Sequence, residues 1–239
     1  MRIAVISDIH GAAKPFAKAL DDARAEGFDH LVLLGDLLTY GIEPEACLDL
    51  ARNTMAKDGA ILVGGNHDQL YVDLALGDAA YFNAMPDWIR ESVEWTMHRI
   101  TQWPADIGWH ESWTAEQALF AHANPFGYGD WTYLSDESRL HQASSALSSQ
   151  GFRWGIFGHL HRPVQYVGDR ASAYVVGSIG QPRSNEHPMP QWSMVEIDNG
   201  ELSITARSVD FNPEEHRQAI QQTTAMTQVT RDMLCRYFK

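Results

Sequence analysis

Three stretches decide the fold. They are Arg2-Ile3-Ala4-Val5-Ile6-Ser7-Asp8-Ile9-His10, His30-Leu31-Val32-Leu33-Leu34-Gly35-Asp36 and Ala60-Ile61-Leu62-Val63-Gly64-Gly65-Asn66-His67-Asp68. Each is a short apolar run followed at once by polar residues. Runs of this length, apolar without alternation, read as strands buried on both faces. Pro15 between the first two suits the first turn of a helix carrying Phe16, Ala19, Leu20 and Ala23 and ending at Gly27. Pro44–Lys57 reads as the next helix, with Gly59 as its stop. The βαβαβ order predicts a parallel sheet with helices on its faces.

Working outward, Leu119–His122 is a strand ending in a histidine, and Ser135–Gln150 is a helix. Trp154–Phe157 is a strand leading into Gly158-His159-Leu160-His161. Short strands follow near Val164–Val167, Tyr174–Val176, Trp192–Ile197 and Leu202–Val209, with a turn at Asn199-Gly200. This half reads as mostly antiparallel. Residues 70–115 read as a helical insertion near the cleft. There Phe82, Met85, Trp88, Ile89, Val93 and Ile100 form a core-facing stripe, with Trp88 or Trp95 as candidates to line a substrate cleft. Pro213–Lys239 reads as a C-terminal helix whose Met226, Val229, Met233 and Phe238 can pack on the core or on a second subunit. With no repeat, low-complexity tract or linker, a single domain over 1–239 is expected.

The bulk composition narrows the partners. The chain has 239 residues, 44% hydrophobic and 21% charged, which suffices for a full core. A net charge of -13 argues against a long nucleic acid or an anionic membrane as partner, because phosphate neutralisation needs basic surface. A compact phosphate stays open, since bound cations reverse the local sign. Two distant cysteines, Cys47 and Cys235, read as free thiols of a reducing compartment. Asp8 and His10 interrupt the first apolar run, so it is no signal peptide, and no run approaches a membrane span. The expected location is cytoplasmic.

Chemistry is concentrated in five clusters: Asp8-x-His10, Gly35-Asp36, Gly65-Asn66-His67-Asp68, His122 and His159-x-His161. Those in the first third each follow a strand, where open parallel sheets place their sites. Donors two residues apart on extended backbone share a side. Oxygen and imidazole donors suit divalent Mn, Fe, Co, Ni or Zn. One carboxylate, Asp36, can bridge two cations, and a pair of cations can clamp a phosphoryl group. Asn66 offers a neutral oxygen near a phosphate. His67 can contact a phosphoryl oxygen or protonate a leaving group, with Asp68 to orient it.

The ordered set D-x-H, G-D, G-N-H-D, H, G-H-x-H resembles the calcineurin-like metallophosphoesterase superfamily from Asp8 to His161. The stretches Gly35-Asp36-Leu37-Leu38-Thr39-Tyr40-Gly41 and Gly177-Ser178-Ile179-Gly180-Gln181-Pro182-Arg183 are similar to its diadenosine tetraphosphatase-like bacterial and archaeal branch, and the similarity extends to about Ile197. The resemblance implies an α/β fold, a four-layer α/β/β/α sandwich of two mixed sheets flanked by helices. It implies one metal on Asp8, His10, Asp36 and His161, and a second on Asp36, Asn66, His122 and His159. It further implies His67 as phosphate contact or general acid, Asp68 as its support, and in-line attack by a metal-bridging hydroxide.

The chain departs from the branch at His122-Ala123-Asn124-Pro125, where His-Gly-Ser-Pro is usual, and at Val176 before Gly177, where Pro is usual. Thr39, Tyr40 and Asp68 stand where phosphoprotein phosphatases carry Asp, Arg and Glu, which argues against that activity. Arg183 is a candidate to clamp a phosphate; a salt bridge pinning its loop is the alternative. The expected function is hydrolysis of a small phosphate ester, a phosphodiester or a nucleotide or dinucleoside polyphosphate. A phosphomonoesterase, including a phosphoprotein phosphatase, and a non-catalytic metal-binding scaffold are the alternatives. Homo-oligomerisation stays open.

Overall fold

The computed structural model describes residues 1–100 and 107–238. Strands β1 (Arg2–Ile6), β2 (His30–Leu34) and β3 (Ile61–Val63) lie parallel in that order. Helix α1 (Ala13–Glu26) joins the first two, and α2 (Pro44–Asp58) joins the next two. Gly59 ends α2 in the left-handed region at φ 63; its N–H donates to Met55 O, and the Ala60 N–H donates to Thr54 O.

Alternation along the strands divides their side chains between two cores. Ala4 and Ile6 pack with Phe16 and Leu20 of α1 and with Leu48 and Ala51 of α2. Ile3, Val5, Val32 and Leu34 face the other way, onto Phe120 and Ile156 of a second sheet. Burial on both faces explains why 3–6, 31–34 and 62–63 carry no polar residue, and why Arg2 and His30 stand only at the half-buried strand starts. Each fully buried large side chain contributes about 1.5–3 kcal/mol.

After β3 come α3 (Asn66–Ala75), α4 (Ala80–Ala84) and α5 (Asp87–Arg99). Then follow β4 (Trp109–His110), β5 (Ser112–Ala115) and β6 (Ala118–Ala121). The stretch 70–115 is therefore helical only as far as Arg99; its part at 101–106 lies outside the described residues. Beyond it, β4 extends the first sheet beside β3, and β5 turns back onto β6 through Glu116, at φ 52. Trp113 opposes Phe120 across that hairpin with ring centroids 5.1 Å apart, a cross-strand pair that favours strand over helix. The expected apolar stripe does face the core through Met85 and Val93, with Phe82, Ile89 and Ile100 packed beside them.

The rest of the chain adds α6 (Glu137–Ser149), β7 (Trp154–Phe157), β8 (Val164–Val167), β9 (Ser172–Val175), β10 (Gln191–Asp198) and β11 (Glu201–Ser208). The first sheet has the order β11-β10-β1-β2-β3-β4, and the second β5-β6-β7-β9-β8. The second half mixes directions: β10 and β11 run antiparallel beside β1, while β6, β7 and β9 are parallel. Asn199 and Gly200 both take positive φ in the β10–β11 turn, as a two-residue hairpin requires. Leu140, Ala143 and Leu147 of α6 cover the outer face of the second sheet at Leu119, Ala121 and Phe157. The layers are helix, sheet, sheet, helix.

The expected C-terminal helix is two helices, α7 (Pro213–Gln221) and α8 (Gln228–Cys235). The intervening Thr223, Thr224 and Thr227 are weak helix formers, and Thr227 caps α8 by accepting from the Thr230 N–H. Met226, Leu234 and Phe238 are buried against Tyr40, Trp88 and Trp95, whereas Val229 is 68% exposed and Met233 half-buried. Cys47 and Cys235 are free thiols. Among the described residues no helix is long and apolar enough to cross a membrane.

Candidate metal centre

The polar clusters converge where strands of the two sheets end. The backbone there is strained. Asp8, His10, Asp36, His159 and His161 all have φ between 47 and 64, and Thr39 and Tyr40 lie at 74 and 67. Such conformations cost about 1–3 kcal/mol each and persist only where the surroundings impose them. Here loop-to-loop hydrogen bonds do so. The Asp8 N–H donates to Gly35 O, the His10 N–H to Asp36 O, and the Gly180 N–H to Asp8 O. Close approach demands glycine at two positions. A Cβ on Gly35 would lie 2.7 Å from His122 Nδ1, and one on Gly65 would lie 2.3 Å from Asp36 Oδ1.

Six side chains that sequence assigns to metals form two groups that share one member. Asp8, His10, Asp36 and His161 offer donor atoms within 4.8 Å of one another, and so do Asp36, His122 and His159. All are buried. The seventh, Asn66, brings Oδ1 to 3.1 Å from His122 Nε2 and donates from Nδ2 to the Tyr81 hydroxyl.

The hydrogen bonds of the imidazoles test whether these groups suit a cation. His10, His122 and His161 each point Nδ1 at a backbone carbonyl: Leu38 O at 3.1 Å, Leu34 O at 2.6 Å and Gln181 O at 3.1 Å. A carbonyl only accepts, so each ring's N–H is used there and Nε2 is left as a lone pair. The Nε2 atoms of His10 and His161 then face each other at 3.2 Å. His122 Nε2 faces the Asn66 oxygen in the same way. Two acceptors in contact repel unless a cation or a proton lies between them. His159 donates from Nε2 to Trp131 O at 3.0 Å, which leaves its Nδ1 as the free donor atom. The residues present fit divalent cations.

Electrostatics agree. Burial opposes charge on Asp8 and Asp36, but neighbouring imidazoles outweigh it and hold both carboxyls well below the usual range. Burial drives His10 down, and it drives His67 to about 4 and His159 to about 3. His122 moves the other way. Burial opposes its charge, yet Asp36 and Asp8 push it up to about 10, so without a cation a proton takes the place on Nε2 that a metal would fill. Buried carboxylates thus call for a compensating positive charge at their centre.

Asp68 is not placed as the expected support of His67. Its carboxylate accepts from the backbone N–H groups of Asp36 (2.6 Å), Leu37 (3.1 Å) and Gly65 (2.8 Å). It ties the Asp36 loop to the start of α3, and His67 faces elsewhere. Burial and the Asp36 charge push the Asp68 carboxyl up to about 7 against those donors. The His67 ring meets Tyr40 instead, whose hydroxyl lies 3.1 Å from Nε2.

Arg183 lies near the same cleft: burial pushes the Tyr40 and Tyr133 hydroxyls up and its charge opposes that, while at His67 it adds to the downward effect of burial. Among the described residues no carboxylate pairs with it. It donates to Gln181 Oε1 at 2.8 Å and stacks over Tyr237 at 5.4 Å, so the alternative of a loop-pinning salt bridge is not what the structure has. The altered turn after His122 is rebuilt by Asn124. Its Nδ2 donates to Asp130 O and Thr132 O, and its Oδ1 accepts from the Phe126 N–H, so no glycine is needed there.

Sequence reasoning missed an aromatic surround. Tyr133 stacks on His159 with centroids 4.0 Å apart, Tyr81 holds Asn66, and Tyr40 joins His67. The Gly127-Tyr128-Gly129-Asp130-Trp131-Thr132-Tyr133 run was a readable signal, because glycine and aromatics alternate in a loop just after a ligand-type histidine. Trp88, a candidate to line the cleft, stacks on Tyr40 at 5.6 Å.

Two sheets flanked by helices, with buried His and Asp clusters at their strand ends, define a phosphoesterase-type metal-binding fold. The chain belongs to the calcineurin-like phosphoesterase family, whose model matches residues 1–163. It is 29% identical over 204 residues to the uncharacterized protein MJ0912 of Methanocaldococcus jannaschii, covering 76% of this chain and 77% of that one. Its fold is similar to that of the hypothetical protein PH1004 of Pyrococcus horikoshii (TM-score 0.81, 16% identity, 98% and 97% of the two chains). It is also similar to that of a metallophosphoesterase of Sphaerobacter thermophilus (TM-score 0.73, 20% identity, 98% of each chain).

Proposed function

We propose that this phosphoesterase binds two divalent cations, one on Asp8, His10, Asp36 and His161 and one on Asp36, Asn66, His122 and His159, and hydrolyses a small phosphodiester, nucleotide or dinucleoside polyphosphate. The observation that carries the reading is the sharing of Asp36 between two buried donor groups. When bound, such cations supply an acidified water as nucleophile and neutralise phosphoryl oxygens. Mn, Fe, Zn, Co and Ni all suit this donor set.

The chain's own residues do the rest. Asp36 Oδ1 accepts from the His67 N–H at 2.8 Å, fixing the carboxylate against the turn that bears His67. His67 contacts a phosphoryl oxygen or gives a proton to the leaving oxygen. Asn66 limits negative charge beside the substrate. Arg183 clamps a phosphate oxygen. One guanidinium among tyrosine hydroxyls suits the single charge of a diester better than the double charge of a monoester. The net charge of -13 restricts the substrate to a small ester rather than a nucleic-acid polymer.

The test is hydrolysis of bis-aryl and mono-aryl phosphates by manganese-loaded protein, with metal content measured on the same sample. About two ions per chain and faster turnover of the diester support the reading. Faster monoester turnover overturns the diester assignment. Metal without turnover of either ester overturns the enzyme assignment.

A further inference from the structure

The Tyr40 hydroxyl and the His67 ring form a pair that the mechanism above leaves unused. Tyr40 is 6% exposed and sits at φ 67, a conformation costly for a bulky side chain. Three contacts hold it there. Its N–H donates to Ser92 Oγ of α5 at 2.8 Å, its ring stacks on Trp88 of the same helix, and its other neighbours include Met226, Leu234 and Phe238 of the C-terminal segment. Those partners lie in the helical insertion and beyond residue 163, where the family model ends. They converge on one atom pair, Tyr40 Oη and His67 Nε2, 3.1 Å apart. The other ring nitrogen, His67 Nδ1, is buried with no hydrogen-bond partner.

The direction of that hydrogen bond follows from the two groups. A phenol O–H is a stronger donor than an imidazole N–H, and an imidazole nitrogen is a stronger acceptor than a phenol oxygen. Tyr40 therefore donates and Nε2 accepts. A neutral imidazole has one N–H, so its proton is on Nδ1. An unpaired buried N–H is unfavourable until an acceptor reaches it.

We propose that Tyr40 is a positioning residue: its hydroxyl fixes His67 in the tautomer that carries the proton on Nδ1, leaving that N–H as the donor offered to a phosphoryl or leaving-group oxygen. This rests on the role given to His67 above. Tyr40 acts through His67. The insertion and the C-terminal helices thereby act on the chemistry, by holding Tyr40 in its strained conformation.

The experiment combines nitrogen-15 histidine NMR with a double-mutant cycle. In zinc-loaded wild type, the His67 spectrum should show the proton on Nδ1; a proton on Nε2 overturns the proposal without any variant. In Tyr40→Phe, which keeps the ring, that preference should be lost while metal content stays at the wild-type level. Turnover of a diester with a basic leaving group should fall roughly 10- to 100-fold, and turnover of an activated aryl diester much less. Tyr40→Phe should add nothing further in a His67→Ala background. Equal losses with both leaving groups, or additive losses, overturn the assignment of Tyr40. If His67→Ala itself leaves turnover intact, the role of His67 fails, and the NMR result still decides whether Tyr40 fixes the tautomer.

Discussion

The cleft and the C-terminal helices both bury histidine, and they do so differently. In the cleft, His10, His122 and His161 each turn Nδ1 to a backbone carbonyl and bring Nε2 within 3.6, 3.4 and 3.2 Å of an aspartate oxygen. In α7, His216 is equally buried, at 2% exposure, but packs between the rings of Phe211 and Phe238 with its Nε2 unpartnered. Burial drives it down to about 4, with the charge of Lys14 adding to the effect. A carbonyl behind the ring and a carboxylate in front of it separate a histidine built to hold a cation from one that fills space. Burial alone does not.

The comparison can be broken most directly at Asp36. Asp36→Ala removes the one donor common to both groups, so turnover should fall roughly 1,000-fold or more. Metal analysis of the same protein should find the ions of both groups lost. Retention of either ion at full occupancy would show that the groups are independent.

The next largest effect sets the two kinds of histidine against each other. His161→Ala should weaken metal binding at least about 100-fold, whereas His216→Leu should leave it unchanged. Competitive titration with a chelating dye reads both. If the two variants lose metal alike, the distinction between them is wrong.

Stability against pH sharpens the other side of the contrast. His216 is lowered in the folded state to about 4, against an ordinary value of 6.5. Between those pH values the unfolded chain binds the extra proton, so stability is complete above about 6.5 and is lost as pH falls toward 4. The loss attributable to His216 is about 2 kcal/mol at pH 5 and approaches roughly 3 kcal/mol only below pH 4. Urea unfolding of wild type and His216→Leu at pH 7.5 and pH 5 isolates it, because the other histidines cancel in the difference. Equal pH sensitivity in both proteins would remove His216 as the cause.

The smallest expected effect comes from the same C-terminal segment where it meets the cleft. Tyr237 supports the Arg183 guanidinium, so Tyr237→Leu should raise KM for a phosphodiester about 2- to 5-fold with little change in kcat. Steady-state kinetics decide it, and an effect on kcat alone would mean that Arg183 is held by other contacts.

Much of this was legible in the sequence because it is local. Uniform apolar runs marked β1, β2 and β3, and the polar residue after each marked the cleft. Pro15, Gly27, Pro44 and Gly59 bracketed α1 and α2. What was hidden depends on distant partners. The pairing of β10 with β1 joins residues nearly 200 apart, and no local pattern encodes it. The strands at Trp109 and Ser112 are too short to show a period and exist because β3 and β6 lie beside them. Asp68 sits next to His67 in sequence, yet its carboxylate turns to backbone N–H groups of another loop. Trp131 enters the site through its carbonyl, which any residue would supply. Tyr40 stands in sequence within the stretch after Asp36 and as a departure from the phosphoprotein phosphatase pattern, and neither points to His67.

The most direct test of the central claim is anomalous diffraction from a crystal of the manganese-loaded protein. Two peaks are expected on either side of Asp36, one bounded by Asp8, His10 and His161 and the other by Asn66, His122 and His159. A single peak that leaves one of these groups empty at saturating manganese, or peaks away from Asp36, would contradict it.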